Sequence, residues 1–134
     1  MTTSFEPLPH IAPGEYVGTL VEKYKNTSLY GRCDLVFEFE VLTQSFEPVL
    51  LKAYFQVTWI NGENFKAGPK SSYFRTYQSC FGKANADTFS IDSFPLGNYL
   101  IEAATVERDG QRNPLDPINQ YSKVGRIKGE SQDV

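Results

Sequence analysis

Residues 33–42, Cys-Asp-Leu-Val-Phe-Glu-Phe-Glu-Val-Leu, alternate apolar and polar side chains over most of their length. On an extended chain Leu35, Phe37, Phe39 and Val41 share one face, and Asp34, Glu38 and Glu40 fall on the other. A β-strand, whose successive side chains point to opposite sides, sorts residues this way. The segment after the turn Phe46-Glu47-Pro48 repeats the pattern. In Val49–Thr58, Leu51, Ala53, Phe55 and Val57 face one way, and Lys52, Tyr54, Gln56 and Thr58 the other.

Upstream, Glu15–Lys25 (EYVGTLVEKYK) is rich in β-formers, with Gly18 as an expected bend or bulge. Asn26–Arg32 is turn chemistry, so the first three strands form a meander. Downstream, Trp59–Lys70 reads as a long Gly/Asn/Pro loop. It leads to a helix over Ser71–Phe81, capped by Ser71 or Ser72 and stopped by Gly82, with Phe74, Tyr77 and Phe81 at helical spacing. Residues 83–98 read as irregular, with a short turn around Ser93–Leu96. Asn98–Arg108 and Gln120–Lys128 read as the last two strands, joined by a polar connection.

Three meandering strands, a helix and two further strands follow the order of the OB fold. The expectation is an all-β domain with one helix, a five-stranded OB-type Greek-key barrel whose helix lies between strands three and four. A small α+β sheet with one packed helix has the same order and stands as the alternative. The domain spans residues 14–128, between a Pro-rich N-terminal arm (1–13) and a short polar C-terminal tail (129–134).

At 134 residues, 40% hydrophobic and 22% charged, the chain suits one folded domain. No apolar run approaches the roughly 20 residues that span a bilayer. The first residues lack the basic segment of a signal peptide, so Cys33 and Cys80 are expected to be reduced thiols of a cytoplasmic protein.

His10, the only histidine, sits in the arm, and one histidine with two distant cysteines makes no zinc site. Phosphate-loop and nucleophile-elbow motifs are missing. The reading is therefore non-catalytic, with no cofactor and no metal.

Aromatic residues are in excess, at ten Phe, eight Tyr and one Trp. OB barrels hold oligonucleotides across strands two and three, between the loop that joins strands one and two and the loop that joins strands four and five, with basic groups on phosphates and rings on bases. Those places hold mixed basic and aromatic residues. The first connection offers Lys23, Tyr24, Lys25, Tyr30 and Arg32; the third strand offers Lys52 and Tyr54, with Trp59 just past it. The last two strands and their loop offer Arg108, Arg112, Tyr121, Lys123 and Arg126.

A net charge of −3 opposes phosphate binding. Within residues 108–128, however, Arg108, Arg112, Lys123, Arg126 and Lys128 outnumber Asp109 and Asp116. Plainer roles stand beside these. Tyr24 and Tyr121 also suit a barrel rim, Trp59 also suits a loop anchor, and Lys23, Lys25 and Lys52 also suit strand edges. Glu38 and Glu40 repel phosphate wherever they share a face with Lys52 and Tyr54.

The strand order, the opening PGEY (13–16), the helix SSYFRTYQSCFG (71–82) and the ending NYLIEAATVERDG…YSKVGRI resemble the small OB-fold single-stranded-DNA-binding proteins of phages and mobile elements. The resemblance covers the architecture of residues 14–128. It implies non-catalytic protection of single-stranded DNA in replication or recombination, with RNA as a second ligand class, and homodimers and replication or recombination proteins as partners. The ending GESQDV departs from the long acidic tail common among such proteins. The competing class is a protein-interaction or assembly module built on the same barrel.

Overall fold

The alternating segment forms strand β2 (Cys33–Leu42), and Leu35, Phe37, Phe39 and Val41 are all fully buried. The computed structural model describes residues 9–27, 33–43, 47–84, 86–109 and 111–131. β2 pairs on one side with β1 (Gly14–Thr27) and on the other with β3 (Pro48–Gln56), both antiparallel. β1 also pairs with β7 (Gly97–Val106), and β7 with β8 (Tyr121–Glu130). The sheet order is β3-β2-β1-β7-β8, all antiparallel.

The sheet curls until its end strands, β3 and β8, lie against each other. No hydrogen-bonded ladder joins them among the described residues, so the sheet is not a closed barrel. Helix α1 (Ser72–Phe81) packs across this open seam, touching both β3 and β8. The Ser71 hydroxyl caps it by accepting from the Phe74 N–H at 3.1 Å. At the other end the Gly82 N–H donates to the Gln78 carbonyl, with φ at +84°, a region that favours glycine.

The helix delivers Tyr73 to the centre of the core, a position outside the expected stripe of Phe74, Tyr77 and Phe81. The Tyr73 ring meets Phe37, Phe55, Phe65, Phe89 and Phe94 with centroids 4.9–6.4 Å apart, mostly edge-to-face. Such pairs add about 0.5–1.5 kcal/mol each beyond area burial. Much of the aromatic excess is thereby consumed in the interior.

Two segments expected to lack strands contain them. Within 59–70 and 83–98 lie β5 (Asn64–Lys66) and β6 (Thr88–Ser90), which with β4 (Thr58–Trp59) make a second, three-stranded sheet ordered β4-β5-β6. A 3-10 turn follows at Ile91–Ser93, slightly ahead of the expected one. Runs of two or three residues are too short to display a period. Their pairing, Phe65 opposite Phe89, joins segments 24 positions apart.

Gly18 was expected to bend the first strand, yet it pairs regularly with Val41 and Tyr99; the β1–β2 register shifts between Leu20 and Glu22 instead. Gly18 is needed for close approach. A Cβ there would lie 2.9 Å from Ile101 Cδ1 and 3.3 Å from Phe39 Cβ.

The described part of the arm is tied down. The Ile11 N–H donates to Ser122 Oγ at 2.8 Å, and the Ser122 N–H to the Pro9 carbonyl at 2.7 Å. Among the described residues no helix is long and apolar enough to cross a membrane.

Candidate nucleic-acid interface

Residues directly opposite in an antiparallel ladder share a face, so the registers define the outer surface. Tyr24, Val36 and Tyr54 form one row across β1, β2 and β3; Glu22, Glu38 and Lys52 form the next. Val36, although on the outer face, is only 1% exposed, as expected of a valine flanked by two tyrosines. Tyr54 is half exposed.

The Tyr24 hydroxyl lies close enough to Glu38 and Lys52 for both to act on its titration. Burial raises its pKa above the ordinary phenol value, Glu38 adds to the rise, and Lys52 opposes it. Burial also raises Tyr54, with Tyr121, Glu38 and Asp34 acting in the same direction. Tyr121, on β8, stands across the seam from β3, near enough to add to that rise.

Charge divides this surface. Glu22, Asp34, Glu38 and Glu40 occupy the outer side of β1 and β2, where Lys52 is the cation in register with Glu38. A phosphate chain is repelled from the middle of that sheet. On β8, Lys123 and Arg126 are exposed beside half-buried Tyr121. Arg126 lies opposite Glu102, but Lys128 takes that carboxylate at 3.6 Å and also binds Glu15. Cationic and aromatic groups therefore converge on the seam edge at Tyr54, Tyr121, Lys123 and Arg126, not on the centre of strands two and three.

Lys23 is not on this surface. It lies opposite Phe37, facing the core, with a side chain 8% exposed. Its ammonium donates to the carbonyls of Phe94 (2.6 Å) and Ile91 (2.9 Å), with Asp92 at 3.9 Å. The bulge after Leu20 turns Lys23 inward, where it ties the 3-10 turn to β1. Burial lowers its pKa, which Asp92 partly counters.

Lys25 also takes the inner register, opposite Leu35, and its ammonium sits 5.0 Å from the centroid of the Trp59 ring. Trp59 in turn donates from Nε1 to the Cys33 carbonyl at 3.2 Å and packs edge-on against Phe65. The tryptophan anchors β4, with Lys25 over one face.

Arg108 and Arg112 sit in the β7–β8 connection, closed by a bridge between Arg108 and Pro114. The Arg108 guanidinium donates to the Arg112 carbonyl at 3.0 Å. Asp109 Oδ1 accepts from the N–H groups of Gln111 and Asn113, and these bonds lower its pKa. Arg112 has φ +66°. Tyr30 and Arg32 lie outside the described residues.

One functional candidate escaped the sequence reading. A groove of about 390 Å³ follows the seam between β3, α1 and β8, with Tyr54, Arg75 and Arg126 on its walls. Arg75 belongs to the polar helix stripe Ser72, Arg75, Thr76 and Ser79, spaced i, i+3, i+4 and i+7. In the sequence Arg75 and Ser79 already fall off the apolar stripe of the helix, but a polar helix face by itself marks only solvent exposure. No family model, no curated protein and no solved structure matches this chain.

Proposed function

We propose that this protein is a non-catalytic single-stranded-DNA-binding protein built on the OB plan with an open seam. The antiparallel order β3-β2-β1-β7-β8, with α1 between the third and fourth long strands and over the seam, supports that plan. The observation that carries the reading is the tyrosine row Tyr24, Tyr54 and Tyr121, ending at Lys123 and Arg126. Bases stack on the rings while cations track the phosphates. The strand enters along the β3–β8 edge, clear of the carboxylates on β1 and β2. A phage or mobile-element setting, with a role in replication or recombination, rests on the resemblance of the sequence pattern.

The test is anisotropy of labelled single-stranded and duplex oligonucleotides at rising salt. Single strands bind preferentially, affinity falls with salt, and Tyr54→Ala or Tyr121→Ala each costs about 1–3 kcal/mol. No binding to either form at low salt refutes the reading.

A second reading, a protein-interaction module, draws on the other end of the outer face. Val17, Leu42 and Leu50 are 42–61% exposed there, near Glu40. A partner held by that patch resists salt, which separates the two readings in one titration.

A further inference from the structure

The seam groove adjoins the stacking row, shares Tyr54 and Arg126 with it and adds chemistry of its own. Ala53, Phe55, Val124 and Ile127 give it an apolar floor. Arg75 and Arg126 supply the charge, and Ser72, Thr76 and Ser79 supply hydroxyls. Among the described residues no carboxylate lines it, although acidic residues outnumber basic ones in the chain. Helix α1 itself contains no acidic residue.

Both arginines keep their charge available. Among the described residues neither takes part in an ion pair. The Arg75 Nη2 donates to the Lys70 carbonyl at 2.8 Å, which orients the guanidinium without neutralising it. A guanidinium has five N–H donors, so others remain for a ligand. Glu102, opposite Arg126, is engaged by Lys128.

We propose that the groove holds one nucleotide of the bound strand, a proposal that rests on the single-strand reading above. The phosphate lies between Arg75 and Arg126, and the base lies on the apolar floor beside Tyr54. A volume near 390 Å³ falls at the lower end of the range for small-molecule sites, about 300–1,000 Å³, and suits one nucleotide, not several. Charge complementarity selects the occupant: two arginines suit a phosphate, and the apolar floor suits a base.

The test combines two probes. Backbone amide and arginine Nε–H resonances are followed by NMR in the wild-type protein during titration with thymidine monophosphate, and separately with thymidine. A labelled oligothymidylate is titrated against wild type, Arg75→Gln, Arg126→Gln and the double variant across a salt series, with thermal melts as a fold control.

The proposal predicts that the monophosphate moves groove resonances on β3, α1 and β8 and that thymidine does so at least tenfold more weakly. Each arginine variant lowers oligonucleotide affinity about tenfold and reduces the salt slope by about 0.7. If the oligonucleotide binds, the double variant keeps the wild-type slope and the groove resonances stay still, the groove proposal is overturned and the single-strand reading stands. If the monophosphate fills the groove but no oligonucleotide binds, the single-strand reading falls and the groove remains as a nucleotide site. Equal shifts from thymidine overturn the role of the arginines, and silence with both probes overturns both readings. The wild-type titration answers the question even where a variant fails to fold.

Discussion

Lys23 and Lys123 look alike as candidate phosphate contacts, yet their surroundings assign them opposite work. Replacing each by Met removes the charge and keeps an unbranched stem. At Lys23 the change removes two charge-assisted hydrogen bonds, to the Phe94 and Ile91 carbonyls. Bonds of that kind contribute about 1.5–3 kcal/mol each, partly offset because the buried ammonium no longer has to shed water. Asp92 is almost fully exposed and adds little. The net expectation is a loss of about 2 kcal/mol for Lys23→Met and a change within about 0.5 kcal/mol for Lys123→Met. Urea unfolding followed by Trp59 fluorescence measures both. Oligonucleotide anisotropy across a salt series should show the reverse ranking, with the slope unchanged for Lys23→Met and reduced by about 0.7 for Lys123→Met. A stable Lys23→Met that loses as much salt dependence as Lys123→Met refutes the reasoning. The sign with pH also follows. Because burial lowers the Lys23 pKa, the unfolded chain holds that proton more tightly. This group's contribution to stability therefore rises with pH from the lowered value up to 10.5.

Gly18→Ala, which places a methyl 2.9 Å from Ile101 Cδ1, should lower stability by about 1–2 kcal/mol. Combined with Ile101→Val the loss should be less than the sum of the two, and strict additivity in denaturant titrations counts against the clash. Among the described residues the buried Tyr73 hydroxyl has no hydrogen-bond partner, so Tyr73→Phe should keep stability or raise it by about 1 kcal/mol; a comparable loss on melting disproves this. Burial, with Glu130 adding, pushes the Cys80 thiol up to about 11. Its alkylation, read by mass spectrometry, should keep accelerating about tenfold per pH unit above pH 8. The same raised pKa means that this thiol's contribution to stability is complete below 9 and is lost as pH rises towards 11. In the β7–β8 loop, the left-handed backbone at Arg112 should make Arg112→Val about 1 kcal/mol less stable than wild type and Arg112→Gly no less stable, as thermal melts can check.

The long strands were legible because each carries its own period. Cys33–Leu42 matches β2 residue for residue, and Leu51, Ala53 and Phe55 are buried as the alternation in the third strand required. The helix was legible from Ser71 and Gly82, which end it through hydrogen bonds made within its own turns. β4, β5 and β6 were not legible, since the reason for a three-residue strand lies in a partner far along the chain. The candidate site divides in the same way. Tyr54 and Lys52 point outward because the third strand alternates, a local property. Lys23 points inward because the register shifts after Leu20, and no feature of EYVGTLVEKYK announces where that shift falls.

By itself, then, the sequence determined the five long strands and the helix, the buried face of β2 and β3 and the ends of α1, all set by interactions between near neighbours. Tertiary structure alone decided that β3 and β8 meet without pairing among the described residues, that Arg75 and Arg126 line one groove and that Tyr54 and Tyr121 lie on the two strands of one seam. These depend on contacts between residues some 50 to 70 positions apart, whose geometry follows from the curl of the whole sheet and not from any local period.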